Sequence, residues 1–171
     1  MTTNEAMSVA MRTLAFESIT LAGVDTSADR AQTERNLVPQ PLPAGLVELL
    51  RKPSPCFVAT LMPDGSPQLT ETWVHTDGEH VVLNIVEGMQ KARNLARDPR
   101  IALNIVDADD LTRYYAVRGR VISMTTEGGR ESIDEIAQKY TGAPYANYGG
   151  ATLNRIVVTV EADRITPPFG S

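Results

Sequence analysis

From Ala44 to Arg51 the apolar positions Leu46, Val47, Leu49 and Leu50 recur at helical spacing, and Lys52-Pro53 closes the run. The period then shortens. Cys56 to Met62 is apolar and β-prone, Pro63-Asp64-Gly65-Ser66-Pro67 supplies turn chemistry, and Gln68 to His75 follows as a second strand, which together predict a hairpin. The turn Thr76-Asp77-Gly78-Glu79 leads into a strand from His80 to Val86 and extends the hairpin to a three-stranded meander. Beyond a short basic helix within Gly88–Arg100, ended by Pro99 acting on Asp98, the segments Arg100–Val106 and Arg113–Met124 read as two more antiparallel strands around the acidic turn Asp107–Asp110. Helical spacing returns at Ile133, Ile136, Ala137 and Tyr140, with Gly142 as the stop, and Arg155–Glu161 is the last strand. Six short strands with inserted helices predict a small antiparallel barrel rather than a parallel doubly wound sheet.

The first 41 residues do not fit this pattern. Ala6 to Leu14 is partly apolar but lacks a basic opening region, Asp25 to Arg35 is polar, and Pro39, Pro41 and Pro43 space a linker. Residues 1–41 are therefore expected to be an arm and proline-rich linker, and residues 42–171 a single domain. A net charge of −5 argues against a nucleic-acid surface, and no run approaches the roughly 18 apolar residues of a membrane span. The lone Cys56 excludes a disulfide framework and a cysteine zinc site, so a reducing cytoplasm is the expected location.

Against that acidic balance, the run Gly88-Met89-Gln90-Lys91-Ala92-Arg93-Asn94-Leu95-Ala96-Arg97 places Lys91 and Arg93 in a first helical turn. A cation there typically costs about 0.3 to 1 kcal/mol, because the helix dipole is already positive. A bound anion reverses the cost, and free amides beside a lysine make a phosphate seat. The same residues can equally form the solvated face of a surface helix. Elsewhere the chain has no phosphate-loop consensus, no nucleophile elbow and no dinucleotide glycine fingerprint. His75 and His80 read as ordinary strand-end residues, so no metal site and no catalytic residue is predicted. An anion seat without acid–base machinery is the pattern of a protein whose cofactor carries the chemistry.

Three blocks, Ala59 to Gln68, Gln90 to Arg100 and Tyr115 to Val121, resemble the flavin and deazaflavin oxidoreductase superfamily related to pyridoxamine 5'-phosphate oxidase, nearest its deazaflavin-dependent B branch. The resemblance covers roughly Leu42 to Ile165 and implies a six-stranded antiparallel split β-barrel, mainly β with short flanking helices. It also implies a homodimer with cofactor sites at the subunit interface. Lys91 would contact the cofactor phosphate, and Gln90 and Asn94 would support the helix start. Gln68, Thr70, Thr72 and Trp73, with Asn84, Ile85 and Val86, would border the ring and ribityl chain. Alternation independently puts Gln68, Thr70 and Thr72 on one face, where they are either ligand-facing or plain surface threonines and glutamine.

The chain departs from the family pattern at Met89, where relatives often carry an arginine that pairs with the lysine. The resemblance implies coenzyme F-420 as cofactor, whose anionic oligoglutamate tail would suit the track Arg93, Arg97 and Arg100; FMN is the alternative. The expected activity is hydride transfer between the reduced deazaflavin and an unsaturated small molecule. An FMN-dependent enzyme and a non-catalytic cofactor carrier of the same fold are the alternatives. Tyr145, Tyr148 and Gly149-Gly150 are a candidate loop over substrate, or a plain connector.

Overall fold

The computed structural model describes residues 38–147 and 153–169. The chain divides into two units, Met1–Asn36 and Leu37–Ser171. The proposed arm up to residue 37, and Tyr148, Gly149 and Gly150, lie outside the described residues.

The domain opens with α1 (Ala44–Arg51), whose Leu46, Leu49 and Leu50 are buried, as their spacing of three and four requires. Lys52 is already extended at φ −80 and ψ 164, since Pro53 disfavours helix at the residue before it. The Ser54 hydroxyl donates to the Leu49 carbonyl at 2.8 Å, satisfying one of the helix's terminal acceptors. Then come β1 (Cys56–Leu61), β2 (Pro67–Thr72), β3 (Val74–Thr76), β4 (Val81–Val86), α2 (Gln90–Arg97), β5 (Arg100–Val106), β6 (Tyr114–Thr125), α3 (Gly129–Thr141) and β7 (Arg155–Thr166). In the β1–β2 turn, Asp64 Oδ1 accepts from the Ser66 amide at 2.9 Å and its hydroxyl at 2.6 Å while Gly65 takes φ +84.

The described sheet is antiparallel throughout, with seven strands in the order β2-β1-β5-β6-β7-β4-β3. Six strands were expected, and the difference lies at Trp73. The predicted strand Gln68–His75 breaks there: its first half pairs with β1 and its second half with β4, so the predicted meander is divided. β2 and β3 are one residue apart in sequence yet occupy opposite edges of the sheet. Two peptide steps span at most about 7 Å. The sheet must therefore curl until its two edge strands come together at Trp73, as in a split barrel.

Inside the curl, burial alternates along β1, β3, β5 and most of β7. Val58, Val74, Val81, Leu83, Leu103, Ile105, Val117, Val158 and Val160 pack with the α1 leucines into one core. Each such side chain contributes about 1.5 to 3 kcal/mol on burial. β7 runs to Thr166 rather than stopping at Glu161, because its charged end pairs with β6 across a register shift at Arg118/Gly119. Gly119 is required there: a Cβ on it would lie 2.1 Å from the Glu161 carbonyl oxygen. α3 packs on β7 and β4 through Ile133, Ile136 and Ala137, and ends at Gly142 with φ +73, as its glycine stop predicts.

Candidate anion seat and its surroundings

The chain leaves β4 at Val86, reverses at Gly88 with φ +76, and enters α2 through an extended Met89 that carries no side-chain cap. No acidic residue lies in the first turn. The Arg93 amide bonds the Met89 carbonyl at 3.1 Å, while the amides of Gln90, Lys91 and Ala92 have no backbone or side-chain acceptor among the described residues. Three amides are thus free at the positive end of the helix.

The three cations of this helix, and Arg100 at the start of β5, separate clearly. Arg93 folds back onto its own loop, donating to the Gly88 carbonyl and, at 2.7 Å, to Gln90 Oε1. Arg97 reaches the Leu61 carbonyl, and Arg100 pairs with Asp98 at 2.6 Å. Lys91 alone is turned inward: it is half-buried and has no carboxylate within ion-pair distance among the described residues, and burial holds its pKa below the ordinary lysine value.

Behind Lys91, the fully buried Asn94 joins α2 to the sheet. Its Nδ2 donates to Thr60 Oγ1 and Gln68 Oε1, each at 3.0 Å, and its Oδ1 accepts from Gln90 Nε2 at 2.8 Å. Gln68, Gln90 and Asn94 therefore form one network, to which Thr60 belongs although the sequence did not single it out. Gln68, Thr70 and Thr72 are half-buried between exposed Leu69 and Glu71, and they sit opposite Thr60, Val58 and Cys56. The Thr70 hydroxyl is buried without a partner. An orphan of this kind costs about 1 to 3 kcal/mol unless another group meets it.

The three β4 residues do not act together. Ile85 belongs to the core, Val86 is half-buried opposite Arg155, and Asn84 is buried on the side that α3 covers. There Asn84 Nδ2 donates to the Gly129 carbonyl at 2.8 Å, and its Oδ1 has no partner. Trp73, at the strand break, stacks on Tyr140 with centroids 5.0 Å apart. The Tyr140 hydroxyl donates to the Ser54 carbonyl at 2.6 Å and accepts from the Val74 amide at 3.2 Å, and burial raises its pKa. Lys139 donates to the Leu50 carbonyl at 2.7 Å and to the Val74 carbonyl, and burial brings its pKa down to about 8. Tyr140 had only helical periodicity to recommend it, and no sequence pattern singled out Lys139.

Other candidates are quieter. Burial pushes the Cys56 thiol up to about 12, which leaves it protonated and inert. His75 lies 3.5 Å from Glu135, and His80 3.0 Å from Asp77. Among the described residues no three His, Cys, Asp or Glu side chains converge on a metal position, and no helix is long and apolar enough to cross a membrane.

A curled antiparallel sheet whose edge strands come together at Trp73 is the architecture of the flavin and deazaflavin oxidoreductase split-barrel class. The chain belongs to the pyridoxamine 5'-phosphate oxidase family, whose sequence model matches residues 42–167. Among solved structures it is similar to an F420 reductase, at 27% identity over 73% of this chain and 98% of that one, with a TM-score of 0.65. A conserved hypothetical protein of Mycobacterium tuberculosis is 25% identical over 74% of this chain and 84% of that one, with a TM-score of 0.57. HupZ of Group A Streptococcus, 19% identical over 74% of this chain and 93% of that one at a TM-score of 0.54, shares the fold.

Proposed function

We propose that this chain is a coenzyme F-420 (deazaflavin) dependent reductase that moves a hydride between the reduced deazaflavin and an unsaturated small molecule. The observation that carries the reading is Lys91, an inward ammonium without a carboxylate partner among the described residues, beside three free helix-start amides. Likeness to an F420 reductase supports the choice of cofactor. The residues fit such a group: Lys91 and the amides would hold its phosphate, and the unpartnered Thr70 hydroxyl, with Thr72 and Trp73 following it, would border the ring. When bound, the deazaflavin would supply the hydride; the chain's residues would bind and orient it, with solvent or a pocket group completing protonation.

Two observations favour a second reading, in which FMN is the cofactor. Arg100 is paired with Asp98 and Arg93 is engaged by its own loop, so the basic track for an oligoglutamate tail is weaker than its residue types suggest. FMN requires only the phosphate seat.

We further propose that a second copy of the chain completes the site. Phe57 and Leu69 are exposed on the outer face of β1 and β2, and Asn104, opposite Phe57 on that face, has a buried Oδ1 without a partner. Titration of the purified protein with oxidised F-420, followed by cofactor fluorescence, tests the deazaflavin reading, and the protein's mass in sedimentation tests the pairing of two chains. Saturable quenching and a mass of two chains are expected; yellow protein that retains FMN and ignores F-420 would sink the deazaflavin assignment. Oxidation of reduced F-420 by an added substrate separates an enzyme from a carrier.

A further inference from the structure

Trp73 sits within a row of side chains that sequence periodicity does not connect. Lys139 Nζ lies 4.8 Å from the Tyr140 ring centroid, and Tyr140 stacks on Trp73 with planes 8° apart. Trp73 meets Tyr145 edge-on at 6.1 Å and 83°, and the Arg155 guanidinium lies 4.3 Å from the Tyr145 centroid. The order is cation, three rings, cation, and all five side chains are half-buried.

The row is held from outside itself. Tyr140 and Lys139 are fixed by the carbonyls and amide already described. Tyr145 is clamped to α3, its amide donating to Asp134 Oδ1 at 2.9 Å and its carbonyl accepting from Arg130 at 3.2 Å. Arg130 in turn holds Asp134 at 3.0 Å and Asn147 at 2.9 Å. Rings fixed this way give a preformed aromatic corner, with Trp73 and Tyr145 nearly perpendicular, which a planar ligand meets with little ordering cost to the protein.

The two ends differ. Lys139 donates to two carbonyls, whereas Arg155 has neither a carboxylate nor a hydrogen-bond acceptor among the described residues. A guanidinium resting on a ring with its donor edge unused matches the two oxygens of a carboxylate. Its place is suggestive too. Arg155 pairs across from Val86, the last residue before the loop that opens α2, and Trp73 directly follows the polar row of β2. The row therefore adjoins the elements of the cofactor seat from both strands.

We propose that Trp73, Tyr145 and Arg155 form a substrate subsite for a planar, conjugated molecule that carries a carboxylate, which rests on the oxidoreductase reading of the adjoining seat. The chain contains one tryptophan, so the protein has a single indole N–H resonance, and that resonance is Trp73. The 15N-labelled full chain, without cofactor, is titrated with trans-cinnamate and with cinnamyl alcohol, which share the ring and double bond and differ in charge. Cinnamate shifts the indole resonance saturably and binds about tenfold tighter than the alcohol, as one charge-assisted contact implies. Arg155→Gln brings cinnamate to the alcohol's affinity and leaves the alcohol unchanged, while Arg155→Lys retains a preference of several-fold and guards against a folding defect.

Equal affinities, an unmoved indole resonance, or a preference that survives Arg155→Gln overturns the subsite. So does a preference abolished by Lys91→Ala, which places the carboxylate in the phosphate seat instead. Cinnamate selectivity in a protein that fails to bind F-420 or FMN leaves the subsite standing and removes the oxidoreductase reading.

Discussion

Replacing Lys91 with alanine separates a ligand-binding lysine from a structural one, because the two effects carry opposite signs. In the free protein Lys91 is half-buried and lacks a carboxylate partner among the described residues, and burial depresses its pKa. That depression means the folded state holds the proton less well than the unfolded state, so the charged side chain costs stability. Removing it should leave the melting temperature unchanged or slightly higher. Binding moves the other way. A charge-assisted hydrogen bond to a phosphate is worth about 1.5 to 3 kcal/mol, and two unit charges about 4 Å apart at an effective dielectric of 20 set a ceiling near 4 kcal/mol. Lys91→Ala should therefore weaken cofactor binding about ten- to hundredfold without abolishing it, since the amides of residues 90–92 remain. F-420 fluorescence titration reads the affinity and calorimetry the melting. An unchanged dissociation constant refutes the phosphate role; a large loss of stability shows that the lysine was holding the fold.

Two other perturbations test the frame of the site. Lys139 has a folded pKa of about 8 against 10.5 for the free side chain, so between these values the unfolded state binds more protons and stability rises with pH. Thermal melts from pH 7.5 to 9.5 should show this rise in the wild type and a smaller one in Lys139→Met, and parallel curves would refute the shift. Gly119→Ala sets a methyl group against the Glu161 carbonyl and should cost about 3 kcal/mol, the upper end of overpacking penalties; a chemical denaturation midpoint equal to wild type would show that β6 and β7 can separate freely.

Most elements were legible because each depends on near neighbours. α1 and α3 follow from leucine and isoleucine spacing, and their ends from Pro53 and Gly142. The strand break at Trp73 was not legible, for a definite reason. Gln68, Thr70 and Thr72 are half-buried and Val74 and Thr76 buried, so one alternating phase runs through the break. Only closure of the sheet, a tertiary event, divides that phase between two edges. The expected end of β7 at Glu161 fell short because Ala162, Arg164, Ile165 and Thr166 are held as strand by their pairing with β6, which lies far off in sequence.

The site shows the same division. A misplaced positive charge at a helix start is a local signal, carried by neighbouring residues alone. Which cation turns inward is not local: Arg93 is drawn away by the Gly88 carbonyl, five residues earlier, and Lys91 is left facing in. The contacts of Lys139 with Leu50 and Val74 lie 89 and 65 residues away, and that of Asn84 with Gly129 spans 45. No periodicity reports pairings at such separations.

The single-residue passage from β2 to β3 also restricts how this barrel can vary. The polar row at 68, 70 and 72 and the buried pair at 74 and 76 share one odd–even count, so one residue inserted or deleted at Trp73 would turn Val74 and Thr76 outward or reverse the whole polar row. The turn at Pro63–Ser66 carries no such link, and it can lengthen without moving either set. Length variation among relatives of this architecture should therefore collect at the hairpin tips, while the count between Gln68 and Thr76 stays fixed: the seat and the core are kept in step by a ruler of nine residues.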